Sequence, residues 1–141
     1  MFGRKALAVK NADQIRKMRV AGLVVGEALE LIADQATAGT TTGDLDRAAE
    51  AFIRSNGATP SFLGYHGFTG SLCVSVNEEV VHGIPGSRPL CQGDLVSIDC
   101  GAIVDSCTRL TEWARWTTLP SAFRQPSRPC RADGPHPCVR P

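Results

Sequence analysis

Three side chains in this sequence stand in contexts where they could transfer protons or bind metals, and the first is Asp99. It lies within Leu95–Cys100, an apolar run typical of a strand. Because side chains alternate along a strand, Val96 and Ile98 are expected on one face and Asp99 on the other. An ionised carboxylate is costly to bury alone, so Asp99 needs a cation, hydrogen-bond donors or a pocket. A metal is one interpretation, and a turn cap or an ion pair is the other.

The other two side chains are histidines that stand beside glycines. His66 precedes Gly67, and His82 precedes Gly83. Backbone can approach a ligand closely at glycine, and imidazole can transfer protons near neutral pH or bind metal. Each histidine alone is also explained as a hydrogen-bonding loop residue. The residues by themselves therefore indicate a pocket with two histidines and one aspartate.

Two helices are predicted ahead of these residues. A capping box of Asn11 and Gln14 predicts a helix that begins there and runs to about Gln35. Its apolar stripe recurs at intervals of three and four residues and comprises Ile15, Met18, Ala21, Val25, Leu29 and Ile32. Thr42 is the expected N-cap of a second helix over residues 43–55, which Asn56-Gly57 ends.

Strand patterns follow the helices. Alternation predicts strands at Leu72–Val76, Val80–Ile84 and Leu95–Cys100. Two helices followed by several strands, without strand-helix alternation, predict an α+β fold with helices packed on a mainly antiparallel sheet.

Composition limits the partners of the chain. Its 141 residues have a net charge of +1, too small for the positive field that nucleic-acid binding needs. We also expect no membrane partner, because no run of 18 apolar residues occurs and the N-terminus has no signal-peptide pattern. The cytoplasm is therefore the expected location. Cys73, Cys91 and Cys100 have no disulfide spacing and are expected to be buried thiols, which decides little about the compartment.

The near-neutral charge conceals a change of composition at Asp105. Residues 1–105 have a net charge of −3, whereas residues 106–141 have a net charge of +4 and contain six of the nine prolines. Proline and arginine at this density argue against a packed core element. We therefore predict one domain over 1–105 and an unrelated, disordered Arg- and Pro-rich tail over 106–141.

Five motifs in the first segment resemble those of type I methionine aminopeptidases over about residues 8–105. They are IRKMRVAG at 15–22, TGDLD at 42–46, SFLGYHGF at 61–68, SVNEEVVHGIP at 75–85 and GDLVSID at 93–99. The resemblance implies the N-terminal half of the pita-bread fold. It also implies a metal-dependent hydrolase that removes initiator methionine from nascent proteins in the cytoplasm. The histidine motifs favour these enzymes over the related prolidases and aminopeptidases P.

The resemblance assigns a role to each candidate residue. Asp99 corresponds to one of five ligands of two divalent ions, which are Co, Mn, Fe or Zn in the family. His82 corresponds to a catalytic residue that contacts substrate and helps to move a proton. Tyr65, His66 and Cys73 correspond to residues that bind the methionine side chain. Two adjacent ions generate hydroxide at neutral pH and stabilise the oxyanion.

The chain departs from the family after Asp105. The second metal-binding aspartate follows the first by eleven residues, and Leu110 stands at that position. Glu112 does not replace the missing ligand because it lies two positions after the expected one. His136 does not replace a ligand because it lies in the proline-rich segment. Four of five ligands are therefore missing, and we expect the chain alone to be inactive. An out-of-frame reading of a GC-rich gene after codon 105 is our hypothesis for the change, and the coding DNA tests it.

The partners implied by the resemblance are nascent polypeptide N-termini at the ribosome. The family is usually monomeric, but the interface left uncovered by a missing half would favour self-association of this chain. The alternative is a non-catalytic pita-bread fragment that acts as a binding module.

Overall fold

The computed structural model describes residues 9–104 in full and residues 108–118 as backbone. Two helices are followed by strands, as the patterns predict. The elements in chain order are α1 (Ala12–Gln35), α2 (Thr42–Ser55), β1 (Thr59–Pro60), a 3-10 turn (Tyr65–Gly67), β2 (Leu72–Val76), β3 (Leu95–Val104) and β4 (Thr108–Thr118). All the strand pairings are antiparallel, so the predicted α+β class is confirmed.

Helix α1 begins at the predicted capping box. The Asn11 side chain accepts a hydrogen bond from the Gln14 backbone N–H at 2.9 Å, and the Gln14 side chain accepts one from the Asn11 N–H at 3.0 Å. The helix packs on α2, β3 and β4. Its buried residues are Ala21, Val24, Val25, Ala28 and Ile32. Ile15 is 56% exposed, so its place in the predicted stripe was wrong: burial begins only at Ala21.

Helix α2 starts one residue earlier than the sequence predicts. Thr41, rather than Thr42, is the N-cap, and its hydroxyl accepts from the Asp44 N–H at 3.1 Å. The Thr42 hydroxyl is instead buried against Gly86, accepting from its N–H at 2.9 Å and donating to its carbonyl at 3.2 Å. The helix stop at Gly57 is confirmed, with φ of 71°.

Strand β3 organises the sheet, because β1, β2 and β4 all pair with it. Its residues Val96, Ile98, Cys100 and Ala102 face the core. The core also takes in residues from both helices and from β2, including Ile32, Leu45, Ile53, Leu72 and Val74. The helices therefore form one layer on one face of the sheet. No helix in the described part of the chain is long and apolar enough to cross a membrane.

Two segments differ from their predicted structure. Val80–Ile84 is not a strand: His82 has a left-handed backbone with φ of 60°, and one hydrogen bond from Val74 N–H to Gly83 O replaces a ladder. Strand β4 lies after Asp105, where the composition predicts no core element. The six prolines of that segment all follow Thr118, so none interrupts the strand. Residues 119–141 lie outside the described residues.

The three cysteines of the first segment also differ from one another. Cys73 and Cys100 are free and buried, as predicted. Cys91 is disulfide-bonded, so the expectation of a free thiol was wrong for this residue.

Candidate functional site

Pairing of β2 with β3 brings two of the candidate residues together. Cys73 and Asp99 are Cα partners across the antiparallel pair. Asp99 is half-buried, whereas its neighbours Ile98 and Cys100 face the core. The register with β4 shifts between those two neighbours, and the extra residue lies on β4 opposite Asp99. Alternation along β3 is unbroken, so it places the Asp99 side chain on the face opposite the core.

Close approach of Gly83 holds His82 beside β2. The Gly83 carbonyl accepts from the Val74 N–H at 2.9 Å, and the Gly83 N–H donates to Ser75 Oγ at 3.0 Å. A Cβ on Gly83 would lie 2.2 Å from the Val74 carbonyl oxygen. Only glycine fits there, and the neighbour that it approaches is the backbone of β2. The exposed His82 is consequently fixed at the β2 strand that carries Cys73.

Tyr65 and His66 form a second group in the 3-10 turn. Their rings meet edge to face with centroids 4.3 Å apart, and both side chains are exposed. The turn is closed by a 2.8 Å hydrogen bond from Gly64 N–H to Phe68 O and by edge contact of Phe62 with Phe68. The structure thus presents an aromatic ring and an imidazole as one unit.

Both candidate histidines have strained backbone. Among the described non-glycine residues, positive φ occurs at His66 (48°), Asn77 (58°) and His82 (60°). Such conformations cost of order 1 kcal/mol and cluster at binding and catalytic sites. Two of these three residues are ones that the sequence singled out for chemistry, which supports a functional reason for the strain.

Burial and negative charge keep the Cys73 thiol neutral. Burial, aided by the charges of Asp99 and Asp46, raises the pKa of Cys73 to about 11. A neutral, polarisable sulfur is suited to contact an apolar thioether. It is poorly suited to be a nucleophile near neutral pH.

The sequence did not predict the hydrogen bonds between Asp46 and the start of β2. In the sequence this residue is only the last position of the TGDLD motif, yet its Oδ1 accepts from the Ser71 and Leu72 backbone N–H groups at 2.8 Å each. Burial raises the pKa of Asp46, and these two hydrogen bonds oppose that rise. An acid between the apolar positions Leu45 and Ala49 was the available signal. Its partners lie 25 and 26 residues away and were not readable from the sequence.

Asp99 is the single metal ligand that the sequence resemblance predicts within the described side chains. Across the side chains described, residues 9–104, no group of three His, Cys, Asp or Glu could hold a metal ion. Leu110, at the position of the family's second aspartate, is the Cα partner of Ala102 and lies three rungs from Asp99. This donor set does not fit a two-metal centre.

An open groove of about 560 Å³ lies away from the candidate residues. It runs between the start of α2 and residues 85–87, and Asp44, Asp46 and Arg47 line it. None of Tyr65, His66, Cys73, His82 and Asp99 is among its lining residues.

Comparison with known proteins identifies the family of this chain. The family model for metallopeptidase family M24 matches residues 16–116. The chain belongs to metallopeptidase family M24. Among its M24 relatives, the methionine aminopeptidase of Clostridium perfringens is 52% identical over 99 residues, covering 70% of this chain and 40% of that enzyme. Methionine aminopeptidase 1 of Mycobacterium tuberculosis is 51% identical over 104 residues, covering 73% and 39%.

Solved structures of M24 enzymes agree. The methionine aminopeptidase of Rickettsia prowazekii matches with a TM-score of 0.68 at 39% identity, covering 70% of this chain and 40% of that one. An aminopeptidase of Pseudomonas aeruginosa has a similar TM-score, 0.66, at 22% identity, covering 78% and 23%, and so shares the fold alone. The resemblance to methionine aminopeptidases and the pita-bread fold are confirmed. The chain spans about 40% of the length of the curated relatives it matches.

The M24 match also bears on the predicted boundary. It extends eleven residues past Asp105, over most of β4. The division into a domain over 1–105 and a tail over 106–141 stays a prediction.

Proposed function

We propose that this polypeptide supplies the methionine-binding part of a methionine aminopeptidase, the enzyme that removes initiator methionine from nascent proteins. The observation that carries the proposal is identity at about half of the aligned positions to enzymes of that name. No comparison favours a purely binding role.

In this proposal the described side chains divide into two tasks. Tyr65, His66 and Cys73 contact the methionine side chain, for which an aromatic ring and a neutral sulfur are suitable partners. His82 contacts the substrate backbone and accepts or donates a proton there. The hydrogen bonds of Gly83 to β2 keep that imidazole in place while the peptide binds.

Asp99 is the metal ligand that this chain contributes. A metallopeptidase needs divalent metal, and the intact relatives would use two ions of Co, Mn, Fe or Zn. The described residues provide one of the five ligands, so we propose that the chain alone neither retains both ions nor hydrolyses peptides.

The proposed setting is the cytoplasm, where nascent polypeptide N-termini leave the ribosome. We propose no nucleic-acid or membrane partner. Self-association of the free chain is expected, because large apolar side chains such as Val80, Val81 and Ile84 are exposed.

Peptide binding to the 141-residue chain tests the proposal. Titration of ¹⁵N-labelled protein with Met-Gly-Gly should shift the amide signals of Tyr65, His66 and Cys73, because the methionine side chain contacts them. Ala-Gly-Gly is the matched control and should leave these signals in place. Equal responses to both peptides, or no response to either, would contradict the proposal.

A further inference from the structure

Asp46 joins two parts of the molecule that carry the candidate site. It lies in the second turn of α2, and its Oδ1 accepts from the backbone N–H groups of Ser71 and Leu72, at the start of β2. Ser71 and Leu72 are fully buried. Their N–H groups would therefore be unpaired, at considerable cost, without this carboxylate.

The tie acts immediately next to the pocket residues. Cys73 follows Leu72 directly and is the Cα partner of Asp99. A shift of β2 by one residue would turn every side chain of the strand to the opposite face. Fixing Ser71 and Leu72 therefore also fixes the face on which Cys73 meets Asp99.

The same end of α2 also holds the segment that follows His82. The Gly43 N–H donates to the Gly86 carbonyl at 2.8 Å, and the Thr42 hydroxyl bonds both backbone groups of Gly86. One helix end thus contacts the chain ahead of Cys73 and the chain behind His82. Asp46 provides the first of these contacts with a single side-chain atom.

We propose that Asp46 is a positioning residue: by anchoring Ser71 and Leu72 to α2, it sets the placement of Cys73 opposite Asp99 in the methionine pocket. This inference rests on the proposed function only for the identity of the pocket. Asp46 itself contacts backbone rather than substrate.

Substitutions can separate the acceptor oxygen of Asp46 from its charge. Asp46→Asn keeps a carbonyl oxygen at Oδ1, so it should preserve both hydrogen bonds. Asp46→Leu has a similar size and no acceptor. Asp46→Glu keeps charge and acceptor but adds a methylene, which displaces the anchor. Glu50→Gln is the matched control, since it removes a charge one turn later on the same helix, where Glu50 pairs with Arg54.

The primary experiment measures amide hydrogen exchange in the full chain, together with alkylation of Cys73 located by peptide mapping. In Asp46→Leu, the Ser71 and Leu72 amides should exchange at least about tenfold faster, as loss of a bond to a charged acceptor implies. Cys73, which is 5% exposed, should be alkylated faster by a similar factor. Glu50→Gln should stay within about twofold of the original chain for both rates, and Asp46→Asn should retain most of the amide protection. Because Asp46→Asn and Asp46→Leu both remove the charge that helps to raise the pKa of Cys73, the alkylation rate of the leucine variant is compared with that of the asparagine variant.

The outcomes decide the proposal even where one variant is lost. If Asp46→Leu does not fold, Asp46→Glu, which keeps the charge, should show faster Cys73 alkylation than the original chain. Unchanged amide exchange in the leucine variant would show that Asp46 does not anchor Ser71 and Leu72. Faster amide exchange with unchanged Cys73 alkylation would overturn the positioning role.

Peptide affinity separates this inference from the proposed function. Binding of Met-Gly-Gly should weaken about tenfold in Asp46→Leu and be retained in Asp46→Asn, since only the first loses the anchor. If the unsubstituted chain binds no peptide, the proposed function fails, whereas the exchange and alkylation rates still decide the role of Asp46.

Discussion

Replacement of Gly83 by alanine tests the contact that holds His82 against β2. The added Cβ would lie 2.2 Å from the Val74 carbonyl oxygen, below the 3.0 Å limit of real contacts, so the segment must retreat by about 0.8 Å. The hydrogen bonds of Gly83 to Val74 and Ser75, now 2.9 and 3.0 Å long, would then break. Val74 is 2% exposed, so its N–H would be left without a partner. Two lost bonds and one unpaired donor together cost about 2–4 kcal/mol.

The assay is urea unfolding of the two alanine variants side by side. Gly86→Ala is the control, because it lies in the same segment and a Cβ there meets nothing within 4 Å. We expect Gly83→Ala to lower the free energy of unfolding by about 2–4 kcal/mol and Gly86→Ala to change it by less than about 0.5 kcal/mol. Amide exchange at Val74 should rise only in the first variant. Equal unfolding free energies, with protection retained at Val74, would refute the reasoning.

Three further changes have defined outcomes. Gly26→Ala in α1 should stabilise the chain by about 0.5–1 kcal/mol in the same assay, because a Cβ meets nothing within 4 Å there and alanine favours helix; destabilisation would contradict the described packing. Burial raises the pKa of Cys73 to about 11 and of Cys100 to about 12, from an ordinary value of 9.0. The thiols therefore ionise in the unfolded chain first, above pH 9. Between pH 9 and 11 the free energy of unfolding should fall by about 1.4 kcal/mol per pH unit for each thiol. A free energy of unfolding that does not change over this range would count against burial of the two thiols. Leu110→Asp should not create a metal site by calorimetric titration with Mn²⁺, because three rungs place it about 10 Å along the sheet from Asp99; tight new binding would show that register to be wrong.

Local signals in the sequence predicted the helices well. The capping box of Asn11 and Gln14 and the stop at Gly57 depend on residues within one turn of each other, so the sequence alone contains them. The start of α2 was misplaced because Thr42 is used by Gly86, 44 residues further on. A hydrogen bond to a residue far along the chain changes the role of a side chain, and no local sequence signal indicates it.

The candidate site shows the same division. Alternation along β3 correctly placed Asp99 opposite the core face. The glycine beside His82 was expected to let backbone approach a ligand, whereas the structure uses it for contact with β2. The left-handed backbone of His82 was not predictable and removed the expected strand over Val80–Ile84. Asp46 was missed because its partners are backbone amides of β2, which have no sequence signature.

Hydrolysis of a Met-Gly peptide by the purified 141-residue chain, with added Co²⁺ or Mn²⁺, tests the central claim most directly. The claim is that the chain carries the methionine-binding residues and Asp99 but cannot hold a two-metal centre by itself. We predict no detectable release of methionine. Robust turnover by the chain alone would contradict the account.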